Sequence, residues 1–114
     1  MKVNLVKEQT VRNFAKKHAS SIPSFEKWID DIRSSNWEKP EDIRVKFNSV
    51  DFLGKGSSRA IFNVSGNDYR VISKYRFGNK SVFLFVCWIG THDEYTDLCN
   101  KGGQYTAENF KDYS

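Results

Sequence analysis

Three β-rich segments joined by two tight turns occupy the second half of this 114-residue chain. Residues 59–64 (RAIFNV), 69–77 (YRVISKYRF) and 81–89 (SVFLFVCWI) are rich in β-branched and aromatic residues, as strands are. Residues 65–68 (SGND) and 78–79 (GN) separate them, and Gly and Asn accept the positive φ angles that hairpin turns require. We therefore expect an antiparallel meander. Its last segment is apolar on both faces, which is typical of a central strand.

The first third of the chain has helical rather than strand periodicity. Apolar residues recur at helical spacing over residues 11–18 and again over residues 22–32. Pro23 falls in the first turn of the second segment, where proline is tolerated. Residues 1–6 (MKVNLV) alternate and predict a short first strand. The fold class predicted is α+β: an antiparallel β-sheet meander covered on one face by two N-terminal helices, with a short C-terminal helix.

The length and composition fit one domain with a well-packed core. The chain is 39% hydrophobic and 15% aromatic, far from a disordered composition. We expect a single domain over residues 1–114: residues 1–44 mostly helical, 45–90 an antiparallel sheet, and 91–114 a short helix and tail. No apolar run is long enough for a membrane span and no signal peptide is visible, so a cytoplasmic location is the default expectation.

The two cysteines do not suggest a metal site or a disulfide. Cys87 and Cys99 lack zinc-ligand spacing, and His18 and His92 stand far apart with no repeated ligand pattern near either. Cys87 lies in an apolar strand, where a cysteine is usually a core residue, so a Cys87–His92 nucleophile pair is improbable. We expect no metal and no cofactor.

The charge distribution points to a polyanionic partner. Between residues 52 and 92 there are six basic residues against one acidic residue, whereas residues 93–114 carry five acidic residues against two basic ones. A sheet with concentrated positive charge favours nucleic acid. A merely solvated, solubilising face explains the composition equally well.

His92 lies at a predicted helix start, a position suited to phosphate binding and proton transfer. Thr91 and Glu94 form the capping-box pattern of a helix start, which places His92 at the first helical position and Tyr95 three residues on, on about the same face. A helix N-terminus binds phosphate readily, and an imidazole can accept and donate protons near neutral pH. The structural alternative is that His92 only extends the cap. Trp88 could stack on a base but is more typical of core packing.

The strand at 69–77 brings cations close to that histidine. Alternation puts Arg70, Lys74 and Arg76 on one face, where they could hold a phosphate and offset charge on a pentacoordinate phosphorus. The alternative is an ordinary exposed polar face. Further candidates for RNA binding are the remaining basic residues around the sheet: Arg59, Lys46, Lys55 and Lys80.

These motifs resemble the HigB-type toxins of type II toxin–antitoxin systems, in the RelE-like superfamily. The similarity covers about residues 1–97. Its most specific residues are Phe62-Asn63-Val64, Gly66-Asn67, Tyr69-Arg70-Val71 and Ile89-Gly90-Thr91-His92 with Glu94-Tyr95. The chain departs from the family pattern at Cys87, where an Arg is common, and at Thr96, where an Asp is common; Arg76 or Arg59 would have to replace that Arg.

The resemblance implies a ribosome-associated endoribonuclease, an mRNA interferase, that cuts translated mRNA in the small-subunit decoding site. It further implies metal-independent attack by the RNA 2′-hydroxyl and neutralisation by a HigA-like helix-turn-helix antitoxin. Carried over to this sequence, His92 is the acid/base candidate, Arg70 and Lys74 hold the phosphate, and Tyr95 supports the base or the proton transfer. Two alternatives stay open: a non-catalytic RNA- or ribosome-binding module with the same basic sheet, and a relative of this fold that poisons DNA gyrase.

Overall fold

A computed structural model describes residues 1–108 of the chain, and the last six residues of the predicted tail lie outside the described part. Strand β1 leads into two helices and a short third one, and four strands and a last helix follow. The elements are β1 (Lys2–Val6), α1 (Glu8–Lys17), α2 (Ile22–Arg33), α3 (Ile43–Lys46), β2 (Asp51–Leu53), β3 (Arg59–Val64), β4 (Tyr69–Phe77), β5 (Ser81–Thr91) and α4 (His92–Asn100), with single 3₁₀ turns at Ala19–Ser21, Pro40–Asp42 and Gly103–Tyr105.

The five strands form one sheet in the order β1-β5-β4-β3-β2. Strands β2 to β5 pair antiparallel in sequence order, so the predicted meander is confirmed. The sheet as a whole is mixed, because β1 pairs parallel with β5, with Val3 opposite Val82. A parallel partner needs a crossover connection, and here α1 and α2 begin that connection. The predicted strand at 81–89 is central, between β1 and β4, and extends to Thr91.

Both N-terminal helices cover one face of the sheet, as the apolar stripes predict. Phe25, Trp28, Ile29 and Ile32 of α2 are buried in one cluster with the core-facing side chains of the sheet, which are Val3, Ala60, Phe62, Val64, Val71, Val82, Leu84, Val86 and Ile89. Burial of each such aliphatic or aromatic side chain stabilises the fold by about 1.5–3 kcal/mol. This inner face is therefore the main core, and it leaves the opposite face for other uses.

The opposite face of the sheet, called the outer face below, is covered only in part. Helix α4 lies against it, where Tyr95 and Leu98 pack on a second small cluster of Ile61, Ile72 and Cys87. A register shift between Ile72 and Ser73 opposite β5 leaves Cys87 as an extra residue, and such a bulge lets Val86 and Ile89 both face the core. Among residues 1–108 there is no helix whose length and apolar character would suit a membrane crossing.

Candidate functional site

The helix that carries His92 begins as the sequence predicts. The Thr91 side chain accepts a hydrogen bond from the Glu94 N–H at 3.2 Å, and the Thr91 N–H donates to the Glu94 carboxylate at 2.8 Å. This reciprocal capping box satisfies two of the free N–H groups at the start of α4. His92 is thereby fixed as the first helical residue, and its side chain is exposed to solvent.

A single turn supports both the histidine and the nearest arginine. The His92 N–H donates to the Asp68 carbonyl at 2.8 Å, so the start of α4 is bound to the β3–β4 turn. Asn67 of the same turn accepts from the Arg70 guanidinium at its side-chain oxygen (2.8 Å) and at its carbonyl (3.1 Å). Ser65 and Gly66 have positive φ angles of 57° and 63°, as a tight hairpin turn requires. Turn, helix start and guanidinium thus form one rigid unit.

Arg70 is a buried cation. Only 8% of its surface is exposed, its third hydrogen bond goes to the Tyr69 carbonyl, and its guanidinium lies 5.9 Å from the centre of the Tyr95 ring. Its fork of N–H donors is therefore largely committed to the turn. The turn holds the Arg70 guanidinium against the Tyr95 ring. Arg70 therefore contributes positive charge from a fixed position near the start of α4.

Tyr95 lies one helical turn after His92 in α4. On a helix, residues three apart have Cβ atoms about 5–6 Å apart, so Tyr95 and His92 leave α4 on about the same face. The ring also packs against Trp88, with ring centres 6.1 Å apart. Burial raises the pKa of the Tyr95 phenol, a hydrogen bond with Cys99 acts in the same direction, and Arg70 opposes them. Tyr95 therefore remains a neutral phenol that can stack or donate a hydrogen bond.

Gly90 is required by the close approach of two side chains. A Cβ atom at this position would lie 2.4 Å from Trp88 Cη2 and 3.0 Å from Glu94 Oε1. The missing side chain lets the indole fold back over the strand and lets the capping carboxylate reach Thr91. A glycine directly before the cap thus belongs to the construction of the site.

The remaining cations of β4 lie on the same outer face, toward the Phe77 end of the strand and away from α4. Lys74 pairs with Phe85 and Arg76 with Phe83 across β5, and both cations are exposed. Four residues along a strand correspond to about 13 Å, so Lys74 does not lie in direct contact with Arg70. Lys80 is exposed in the β4–β5 turn at the far end. The structure therefore places Arg70, Tyr95 and His92 together at one end of β4, and Lys74, Arg76 and Lys80 toward the other.

Two of the predicted RNA-binding residues contact the C-terminal segment. Arg59 is 5% exposed and donates to the carbonyls of Gln104 (3.1 Å) and Ala107 (2.9 Å). Lys55 lies over the Tyr105 ring at 4.8 Å. In this structure Arg59 holds residues 104–107 against the outer face, and its guanidinium is covered by them.

Lys46 lies apart from the other candidates. It belongs to α3, and its ammonium group donates to Ser34 Oγ at 3.0 Å, at the end of α2. Since α2 packs on the inner face of the sheet, Lys46 is on the helical side of the molecule and does not join the outer-face cations.

Cysteine and metal chemistry receive little support from the described residues. Burial raises the pKa of the Cys87 thiol, although the nearby Arg59 opposes this effect, so the thiol stays protonated near neutral pH. Within residues 1–108 no three His, Cys, Asp or Glu side chains converge as a metal ion would need.

Sequence reasoning missed the residues that hold the site together. Asn67 and Asp68 read as plain turn formers, yet they bind Arg70 and His92. Trp88, for which core packing is the favoured expectation, packs half-buried against the small outer-face cluster and against the Tyr95 ring. The spacing of Asn67 and Arg70 was a usable signal, because an Asn three residues before an Arg across a turn is within reach of its guanidinium.

An α+β protein with this sheet order, helix pair and C-terminal helix has the RelE-like fold. The profile of the HigB toxin family, described as the RelE-like toxic component of a toxin–antitoxin system, matches residues 22–98. The chain belongs to this family.

Curated relatives agree with the profile match. The chain is 25% identical over 96 residues to the mRNA interferase HigB of Escherichia coli O6:H1 (strain CFT073), which covers 84% of this chain and 91% of the relative. It is 24% identical over 93 residues to the mRNA interferase toxin HigB of Escherichia coli (strain K12) and to the mRNA interferase HigB of Shigella flexneri, in each case over 82% of this chain and 88% of the relative.

Proposed function

We propose that this toxin is an endoribonuclease that cuts mRNA during translation, in the decoding site of the small ribosomal subunit. The observation that carries the proposal is the solvent-exposed His92 at the start of α4, whose backbone N–H is bound by the same turn that holds the Arg70 guanidinium against the Tyr95 ring. The names of its curated relatives, which are mRNA interferases, support the same activity.

The proposed chemistry needs one proton-transfer group and nearby positive charge. The RNA 2′-hydroxyl loses its proton and attacks the adjacent phosphorus; the P–O5′ bond breaks, and the leaving 5′-oxygen is protonated. His92 transfers one of these protons, since an imidazole exchanges protons near neutral pH. Arg70, held in its turn, adds positive charge near the pentacoordinate phosphorus without binding it directly. Lys74, about 13 Å further along β4, contacts a neighbouring phosphate of the same RNA strand. The nucleophile is part of the substrate, so the proposed route requires no metal or cofactor.

The remaining residues of the site have binding roles in this proposal. Tyr95 stacks against the base next to the cut or donates a hydrogen bond from its neutral phenol. Four other basic residues from the sequence prediction are proposed contacts to RNA phosphates: Arg76, Lys80, Lys55 and Arg59. Arg59 could act in this way only after residues 104–107 move, because they cover it. Lys46 is left out of this proposal, because it lies on the helical side of the molecule.

We further propose that the partner of the toxin is a HigA-like helix-turn-helix antitoxin. A family of toxic components of toxin–antitoxin systems implies a neutralising partner. A cytoplasmic location is part of the same proposal, because translated mRNA is the proposed substrate.

Substitution of His92 tests the proposal most simply. His92→Ala should abolish growth arrest on expression and remove the induced breaks that primer extension detects in cellular mRNA. The variant should fold, because the side chain is exposed and the capping box uses Thr91 and Glu94. His18→Gln is the matched control: it removes the other imidazole, which packs on the Phe14 ring, and it should leave mRNA cleavage intact. A folded His92→Ala variant that still cuts mRNA would contradict the site assignment.

A non-catalytic RNA- or ribosome-binding module is the second candidate. The commitment of the Arg70 guanidinium to its own turn favours it, because this cation is not free to clasp a phosphate. Under this alternative, growth arrest would occur with intact mRNA, and binding would weaken steeply with salt. Damaged DNA with intact mRNA would instead indicate a gyrase poison.

A further inference from the structure

Two phenylalanines near the start of β5 lie on the part of the outer face that α4 does not cover. The Phe83 side chain is 37% exposed. Phe85, two residues on, is half-buried on the same face. Their ring centres are 6.4 Å apart and their planes differ by 26°, so the rings lie nearly parallel. We call Phe83 and Phe85 the aromatic platform.

Cations flank this platform in strict register. Lys74 lies across from Phe85 and Arg76 across from Phe83, and neither side chain forms a salt bridge within the described residues. Strands β1, β4 and β5 contain no Asp or Glu. Lys2 at one edge and Lys80 in the adjoining turn add further positive charge. This surface therefore combines two partly exposed aromatic rings with cations that have no acidic partner within residues 1–108.

We propose that the aromatic platform binds unstacked bases of single-stranded RNA, while Lys74 and Arg76 contact the flanking phosphates. Alternating aromatic and basic side chains are the arrangement that single-stranded nucleic acid requires, because each base offers a π-face and each linkage a negative charge. The cations without acidic partners in residues 1–108 favour a polyanion over a protein as the occupant, and a protein partner is one of the outcomes of the test below.

This inference rests on the proposed function and extends it. Phe85 of β5 and His92 at the start of α4 are seven residues apart in sequence, about 23 Å at strand spacing. Several nucleotides of an unstacked single strand span this distance. The platform is thus a second contact on the same RNA strand, remote from the bond that is cut.

The experiment measures binding without cleavage. The probe is a fluorescein-labelled single-stranded RNA of about twelve nucleotides with 2′-O-methyl riboses, which lack the attacking hydroxyl. Phe83→Leu with Phe85→Leu keeps both positions apolar but removes the rings, and it should weaken binding about tenfold or more per lost stack. The slope of affinity against salt should stay unchanged. Arg76→Gln should instead lower the magnitude of that slope by about 0.7, the value for one phosphate contact to a single strand.

Controls separate stacking from folding. Phe83→Tyr with Phe85→Tyr should restore binding, because a phenol ring also stacks. Val45→Ser removes an 86% exposed apolar side chain of α3, on the other side of the molecule, and should bind RNA like the wild type. All variants should retain the wild-type unfolding temperature within a few degrees.

The outcomes distinguish this inference from the proposed function. If the double Leu variant folds and binds the probe like the wild type, the platform does not contact RNA. If it binds RNA normally but loses a protein partner, the surface is a protein interface and the inference is wrong. Cleavage of translated mRNA by the wild type is scored separately, so its absence would sink the proposed function whatever the platform binds.

Discussion

At the scale of single residues, burial decides what each candidate side chain can do. His92 at the start of α4 is exposed, whereas Arg70 of β4 is only 8% exposed, although the same turn binds both residues. Removal of Arg70 would leave the Asn67 and Tyr69 carbonyls without their donor, a cost of about 1–3 kcal/mol. An inactive Arg70→Ala protein would therefore reflect misfolding as readily as lost chemistry. His92 gives the cleaner test for this reason.

Tyr95 provides a residue-scale test through pH. Its ordinary pKa is 10.0, and burial raises the pKa of the phenol in the folded protein. The folded state then holds this proton more tightly than the unfolded chain, so the stabilisation is fully present below about pH 10 and is lost as the pH rises further. We predict that the free energy of unfolding falls less between pH 9 and pH 11 for Tyr95→Phe than for the wild type, measured by urea titration. Equal alkaline losses in the two proteins would contradict the buried position of the phenol.

At the scale of secondary-structure elements, the capping box holds the imidazole in place. Glu94→Ala removes one of the two reciprocal hydrogen bonds and should lower the free energy of unfolding by about 1 kcal/mol. The rate of RNA cleavage should also fall, because the start of α4, which carries His92, then frays. Glu94→Gln is the matched control, because glutamine preserves the reciprocal bond without the charge. Urea unfolding and primer extension measure the two effects.

The Gln variant also separates hydrogen bonding from charge. If Glu94→Gln loses as much stability as Glu94→Ala, the carboxylate acts through its charge at the helix N-terminus and not through the cap.

Local signals allowed the central elements to be predicted. Strands β3 and β4 begin and end at the predicted residues because turn-forming residues flank them. Strand β2 was not predicted, since three residues (DFL) carry too little pattern. The parallel pairing of β1 with β5 also escaped prediction, because it joins segments about eighty residues apart along the chain. Pairing over such distances depends on the packed helices between the strands.

The candidate site shows the same division between local and distant information. The cap around His92 and the shared face of the β4 cations follow from spacing within one element. The burial of Arg59 does not, because its partners Gln104 and Ala107 lie 45 and 48 residues further along the chain. Whether Lys46 could join the outer face likewise depended on where α3 packs.

At the scale of the whole molecule, the two faces of the sheet have different tasks. The inner face buries the apolar sides of α1 and α2 and supplies most of the core. On the outer face, α4 and the segment after it cover Arg70, Ile72 and Arg59. The part of this face around the aromatic platform, Lys74 and Arg76 remains open and basic. In the proposed function, an RNA strand bound at His92 continues onto this open part of the outer face.

The chemistry of the cut ends is the most direct test of the central claim that His92 cleaves RNA by means of the 2′-hydroxyl of the substrate. A defined mRNA is translated in a reconstituted mixture with wild-type toxin or with His92→Ala, and the ends of the fragments are analysed. The wild type should release fragments with a 2′,3′-cyclic phosphate and a 5′-hydroxyl, and His92→Ala should release none. Fragments with 5′-phosphate ends, or equal cleavage by folded His92→Ala, would contradict the account.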